Sequence, residues 1–498
     1  MTGRLRHWNS PTQVAATVRG EIEPTILSPA SITWISKLNK EWKDLHGKEI
    51  SSDPEPRSLL STPVVIAMWE SRARALGCWP TPEPEFTWKQ IRDLAISPDG
   101  WGMVGHPEWG MFNFGYAYVG ESDVGTQTAV LLCMMGLQKT AGITVADVTP
   151  NNDCGQAIAD VEKVIVHRGT SSPLILKAME TGGPAFLDAV TTYEKNVIGY
   201  NKANRENLQE PLVAVYPQDG TVVADHTFAI MDQAPWVTPD QVKGAKIFRD
   251  FLFTPEQQEL LLESGLRPND QTIKLGSPID PSNGANPSAN VVTLQVPDVL
   301  VIDQVIAVWR DVKKPANIVV VFDKSGSMQR GKISQVRVGA KKFVREMSRR
   351  DWLAWLPFDS NIYPGANGLK SEIGEQLEAE IDSTTARGGT ALYDAIDQAY
   401  KLLLERRVRQ GDTARYGIVV LSDGADGNSR ATLAMLEVIM RPKEGDSAGI
   451  QVHTIGIGTD AEDQVLTKLA NFTNGGHYWK VKDAATIGAV YKRISKYW

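Results

Sequence analysis

Along the C-terminal part of the chain, apolar residues gather in short unbroken runs. Between the runs lie longer stretches in which they return every three or four positions. The runs are NIVVVFD, DWLAWLPF, YGIVVLSD, IQVHTIGIG and HYWKV. The periodic stretches are ISQVRVGAKKFVREMSRR, ALYDAIDQAYKLLLERRVRQ, SRATLAMLEVIM, AEDQVLTKLANFT and AATIGAVYKRISKY. A strand written as a continuous Val/Ile run is buried on both faces. Alternation with helices therefore predicts an α/β fold with a doubly wound, mostly parallel sheet. In such a sheet, ligands bind in the crevice beyond the carboxyl ends of the strands.

The N-terminal part is also mixed α/β but less regular. TPVVIAMW and LVAVYP predict strands, and TWKQIRDLAI, DQVKGAKIFRDFLFT and PEQQELLLESG predict helices. The stretch DQTIKLGSPIDPSNGANPSANVVTLQVP is rich in Pro, Ser, Asn and Gly and reads as a connector. After it, PDVLVIDQVIAVWRDVKKPAN predicts one amphipathic helix, opened by Pro297 and closed before Pro315. The expected organisation is a first domain over 1–275, a linker and connecting helix over 276–314, and a second domain over 315–498. A chain of 498 residues exceeds what one core serves.

Composition narrows the function classes. The 52 basic and 59 acidic residues leave a net charge of −7, with no basic stripe, so a nucleic-acid partner is not expected. Three cysteines, an odd number, argue against a disulfide framework and leave room for one bridge. MTGRLRHWNSPTQVAATVRGEIEP holds no apolar run of export-signal length, and no stretch approaches the roughly 18 apolar residues of a spanning helix. A soluble protein is expected.

The candidate chemistry starts in NIVVVFDKSGSMQRGKIS, where Gly326, Gly331 and Lys332 fall at the G-x-x-x-x-G-K spacing of a phosphate-cradling loop. Such a loop needs a hydroxyl directly after its Lys, and Ile333 stands there. Asp323, at the end of the strand-like run, would repel phosphate. No Ser–His pairing suggests a nucleophile, so an enzyme is not expected. Asp323, Ser325 and Ser327 instead supply three hard oxygens on one turn. RGGTALYDAI adds Thr390 at a helix start, and YGIVVLSDG adds Asp423 at a second strand end. Adjacent central strands would bring these groups to one rim. Oxygen donors without thiol or imidazole favour Mg²⁺, with Mn²⁺ or Ca²⁺ possible, over a zinc-type site. Two carboxylates and three neutral hydroxyls leave a coordination position open.

D-x-S-G-S after a strand, G-G-T before a helix and a strand ending S-D-G together resemble the von Willebrand factor type A domain, over about residues 315–498. The resemblance implies a Rossmann-like domain with a metal-ion-dependent adhesion site. Ser325, Ser327 and Thr390 would ligate the ion directly, Asp323 and Asp423 largely through waters, and a carboxylate from a protein partner would complete the octahedron.

PRSLLSTPVVIAMWESRARALG, GMVGHPEWGMFNFGYAYV, VYPQDGTVVADHTFAIM and DQVKGAKIFRDFLFTPEQQELLLESGLRP resemble a second family over about residues 22–270. These are the two-lobed extracellular solute-binding proteins of bacterial importers, the class that includes molybdate and sulfate binders. This likeness implies a cleft for a small solute or oxyanion, with Thr62 and Asn113 as ligand-binding positions. Nothing before residue 22 supplies the family's opening strand and helix, so either a shortened N-terminus or an incomplete cleft is expected. Together the resemblances imply a metal-dependent, carboxylate-binding adhesion protein of the bacterial surface fused to a solute-binding-like module. The alternative is a transport receptor that captures a solute in the N-terminal cleft. The families imply an extracellular or surface location, and the lack of an export segment makes the cytoplasm the other expectation.

Overall fold

The five apolar runs of the C-terminal part become five neighbouring strands: four are buried along almost their whole length, as runs too apolar to face water must be, and the last, Tyr478–Val481, is half-exposed at the sheet edge. The computed structural model describes the chain apart from residues 1–4, 7, 54–55, 82–84, 170, 205–209, 330, 412–413, 424–425, 442–448, 460, 474, 482–486 and 495–498. It divides into two units, Met1–Val312 and Lys313–Trp498.

In the C-terminal unit the strand order is Asn367–Leu369, Trp352–Phe358, Ala316–Asp323, Arg415–Ser422, Gln451–Ile457 and Tyr478–Val481. Every pairing is parallel except that of the short edge strand Asn367–Leu369. All eight residues of Ala316–Asp323 are buried, as a central strand covered on both faces demands. The helices Leu392–Gln410, Leu433–Met440 and Asp463–Asn471 contribute to an apolar core with Val319, Val321, Ile418 and Val420 of the two central strands. The helices Lys332–Glu346 and Ile487–Ile494 pack against each other, with Phe343 and Tyr491 rings 5.5 Å apart. The flanks of that last helix, expected over 484–497, lie outside the described residues. The sequence reading did not anticipate the edge strand or the helix Lys370–Ser383 that follows it.

The N-terminal unit is built around the ten-residue strand Leu60–Trp69. It lies between Ala189–Tyr193 and Leu212–Val215, antiparallel to both, and its first residues pair with Val223–Ala224 and Arg267–Pro268. Phe114–Ala117 and Ile165–Gly169 extend the sheet beyond Ala189–Tyr193. A separate two-stranded sheet joins Ile26–Leu27 to Ala229–Ile230. It belongs to a smaller lobe with its own core of Trp34, Leu38, Trp42, Ile50 and Met231. Cys133 and Cys154 form a disulfide between the packed helices Asp123–Leu137 and Asp153–Glu162, and Cys78 is buried and free. Among the described residues no helix is long and apolar enough to cross a membrane.

The stretch expected to act as linker is instead built into the first unit. Thr293 bridges Thr221, and Ile279, Ala285 and Leu294 are buried. The helix Val299–Val312 packs on the helices Asp123–Leu137 and Asp153–Glu162, burying Val301, Ile302, Val305, Val308 and Trp309. Trp309 Nε1 donates to Glu162 Oε1 at 2.9 Å and to the Tyr116 hydroxyl at 3.0 Å. Glu162 is also paired with Arg168, and both side chains are 1% exposed. Pro, Asn and Gly shaped the turns of this segment, while its few apolar residues decided where it packs.

Candidate metal site

The two central strands of the C-terminal unit run parallel with Phe322 opposite Leu421, so their carboxyl ends finish side by side. Asp323 and Asp423 therefore reach the same rim although they are far apart in sequence. Asp323 is fully buried, Ser325 and Asp423 nearly so, and Ser327 is exposed. Asp323 Oδ1 accepts the Ser325 backbone N–H at 2.8 Å, which folds the turn back over the carboxylate. Asp323 Oδ2 accepts the Ser422 hydroxyl at 2.5 Å. The Ser325 and Ser327 hydroxyls lie 2.9 Å apart.

The Thr390 loop is brought in by backbone contact, since Gly326 N–H donates to Gly388 O at 3.0 Å. Thr390 N–H donates to Asn428 Oδ1 at 2.9 Å. The two glycines before Thr390 are required by this close packing. Gly388 has φ +79°, and a Cβ at Gly389 would stand 2.1 Å from Asn428 Oδ1. Gly326 lets the Gly388 carbonyl approach closely, since a Cβ there would stand 3.3 Å from that oxygen.

The electrostatics suit a cation. Both Asp323 oxygens are held by neutral donors, and burial pushes its carboxyl up to about 6, against the pull of those bonds and with the charge of Asp423 adding to the rise. Asp423 Oδ1 is buried with no hydrogen-bond partner among the described residues. The adjacent cation, Lys324, is turned away into a pair with Asp359 and lies over the Tyr363 ring. Two carboxylates that no side chain among the described residues neutralises, with hydroxyls at their mouth, form a donor set that fits a hard divalent ion. Among the described residues no group of three or more His, Cys, Asp or Glu could hold a metal, so any such site depends on hydroxyl oxygens.

Two supporting residues escaped the sequence reading. Ser422 was visible only as part of S-D-G, and its bond to Asp323 depends on the register of two distant strands. Asn428 carried no local signal, and its amide oxygen caps the Thr390 backbone.

The two N-terminal candidates do not share a cleft. Thr62 is fully buried, pairs with Ala224, and its hydroxyl accepts the Lys195 N–H at 3.4 Å. Asn113 N–H donates to Asp188 Oδ2 at 2.7 Å, and its carbonyl accepts the Asp188 N–H. Register places Val64 opposite Tyr193 and Met68 opposite Ala189, so the two residues sit at opposite ends of the sheet. Asp188 is itself buried beside Arg72 Nε at 3.2 Å, and burial pushes its carboxyl up to about 6. A raised carboxyl favours the folded state below its unfolded value near 3.8, and that advantage is lost as pH climbs towards 6. The N-terminal unit should therefore lose up to about 3 kcal/mol between those pH values. Urea titrations across pH would show it, and Asp188→Asn should flatten the slope.

Two family models match the chain: the bacterial extracellular solute-binding protein family over residues 4–267 and the von Willebrand factor type A domain over 317–493. Human inter-alpha-trypsin inhibitor heavy chain H4 is 30% identical over 169 residues, which is 32% of this chain and 18% of that protein. The chain thus spans less than a fifth of that relative's length. A von Willebrand factor type A structure from Catenulispora acidiphila is 20% identical, with TM-score 0.32, over 37% of this chain and 42% of the other. Proximal thread matrix protein 1 from the mussel byssus, with a zinc-occupied MIDAS motif, is 16% identical with TM-score 0.29, over 41% and 53%. The solute-binding match alone covers just over half of the sequence, so the chain belongs to the bacterial extracellular solute-binding protein family and carries a von Willebrand factor type A domain at its C-terminal end.

Proposed function

We propose that the chain is a binding protein, not an enzyme, that uses a divalent cation at the C-terminal rim to take a carboxylate from a protein partner. The observation that carries this reading is the buried, partnerless Asp423 Oδ1 beside Asp323, whose own oxygens meet only neutral donors. Ser325, Ser327 and Thr390 would offer hydroxyls to the ion, while Asp323 and Asp423 balance its charge. A bound Mg²⁺ would supply an electrophilic position for the partner's carboxylate. Membership of an extracellular family and the Cys133–Cys154 bridge support an extracellular or surface location, because disulfides persist in oxidising compartments.

Calorimetry on the full chain with Mg²⁺, Mn²⁺ and Zn²⁺ tests the site. Saturable Mg²⁺ or Mn²⁺ binding should vanish in Asp323→Ala; an unaltered titration in that variant sinks the reading.

A second reading, capture of a small anionic solute by the N-terminal unit, is favoured by Lys195. Its ammonium is half-buried near His226, with no acid partner among the described residues. Burial lowers its pKa. Thermal-shift measurements with oxyanions should show stabilisation that Lys195→Met removes.

A further inference from the structure

A cavity of about 200 Å³ opens at the other end of the C-terminal sheet, where the strands begin. Its walls include Asn317, Arg350, Trp352, Leu369, Arg406 and Gln410. The Arg406 guanidinium lies over the Trp352 ring, 4.2 Å from its centroid, and its Nε donates to Asn317 Oδ1. Asn317 Nδ2 in turn donates to Gln410 Oε1 at 3.2 Å. Arg350 donates from one Nη to the Lys313 carbonyl at 2.5 Å.

Neither guanidinium has a carboxylate within ion-pair distance among the described residues. Other arginines of this chain do: Arg345 pairs with Glu378, and Arg267 with Glu194. Arg406 is half-buried, which makes the missing counter-charge more telling than on an open surface. A guanidinium fork held over an indole and anchored through Nε is oriented before any ligand arrives.

We propose that this cavity binds a small oxyanion, a carboxylate or phosphate, whose oxygens accept N–H bonds from Arg350 and Arg406. At about 200 Å³ it lies below the 300–1,000 Å³ of pockets for drug-sized ligands, which limits it to a small group. Carboxylate and phosphate share the geometry that an arginine fork recognises. The site uses none of the metal-rim residues, being at the opposite ends of the same strands.

Titration calorimetry on the full chain, at fixed ionic strength, with inorganic phosphate in one arm and succinate in the other, tests the proposal. Saturable binding of either anion is expected, weakened roughly tenfold or more by Arg350→Gln and by Arg406→Lys. Arg406→Lys keeps the charge and removes the fork, and Arg350 is exposed, so its substitution leaves the core intact. Asp323→Ala should bind the anion like the parent, which separates failure here from failure of the metal reading. No saturable heat with either anion, or equal affinity in both arginine variants, overturns the proposal.

Discussion

Glu162→Ala should unfold the N-terminal unit at denaturant concentrations that leave the parent chain intact. The change strands Arg168, which is 2% exposed and already has Nε and one Nη without partners. Removing one member of a buried ion pair costs about 3–5 kcal/mol, because the remaining charge stays desolvated. Whole domains are stable by only 5–15 kcal/mol, so the loss is a large share of the total. Trp309 and Tyr116 also lose their shared acceptor, which loosens the helix Val299–Val312 from the helix Asp153–Glu162. Trp309→Phe removes the N–H and part of the buried ring but leaves no stranded charge, so it should cost less, about 2–3 kcal/mol. Urea unfolding read by hydrogen exchange in residues 299–312 separates the two variants. Equal midpoints for Glu162→Ala and the parent would mean that the buried network does not hold this helix.

Saturating Mg²⁺ should stabilise the C-terminal unit by about 2.7 kcal/mol at one hundred times its dissociation constant. Asp323→Asn should reverse both halves of that behaviour. Without metal, the parent pays for an ionised carboxylate in a buried place, since its carboxyl is pushed up to about 6 from a usual 3.8. At neutral pH that disfavours folding by up to about 3 kcal/mol, a burden the neutral amide lacks. The amide oxygen can still accept the Ser325 N–H, and the Ser422 hydroxyl can turn to accept from the amide nitrogen. The variant is therefore expected to be more stable than the parent in EDTA and to gain nothing from Mg²⁺. Thermal melts with and without the ion would show the crossing. A variant that still gains Mg²⁺ stabilisation would show that Asp323 does not hold the ion.

Much of the C-terminal fold was legible because both relevant signals are local. Val319, Val320 and Val321 are unbroken apolar positions, and such a run has nowhere to go but a strand covered on both faces. Asp323 at the end of that run fixed its place at the rim. The short edge strand Asn367–Leu369 was not legible: its pattern is exposed, intermediate, exposed, and only its neighbour makes it a strand. The 276–312 segment misled for the opposite reason. Its composition is that of a connector, and its packing depends on a surface offered by helices more than a hundred residues earlier.

Residue order alone determined the chemistry available: hard oxygens at two strand ends, no thiol or imidazole among them, and a helix start bearing a hydroxyl. Tertiary structure decided which of those oxygens are left without partners, because burial and hydrogen bonding are properties of neighbours that lie distant in the chain. It also decided that Thr62 and Asn113 stand at opposite ends of one sheet, since strand register is set by the pairing of side chains across strands. The two guanidiniums at the foot of the C-terminal sheet, without a carboxylate partner among the described residues, belong to the same class of fact: Arg350 and Arg406 share a cavity only because the turn before Trp352–Phe358 and the helix Leu392–Gln410 come together there.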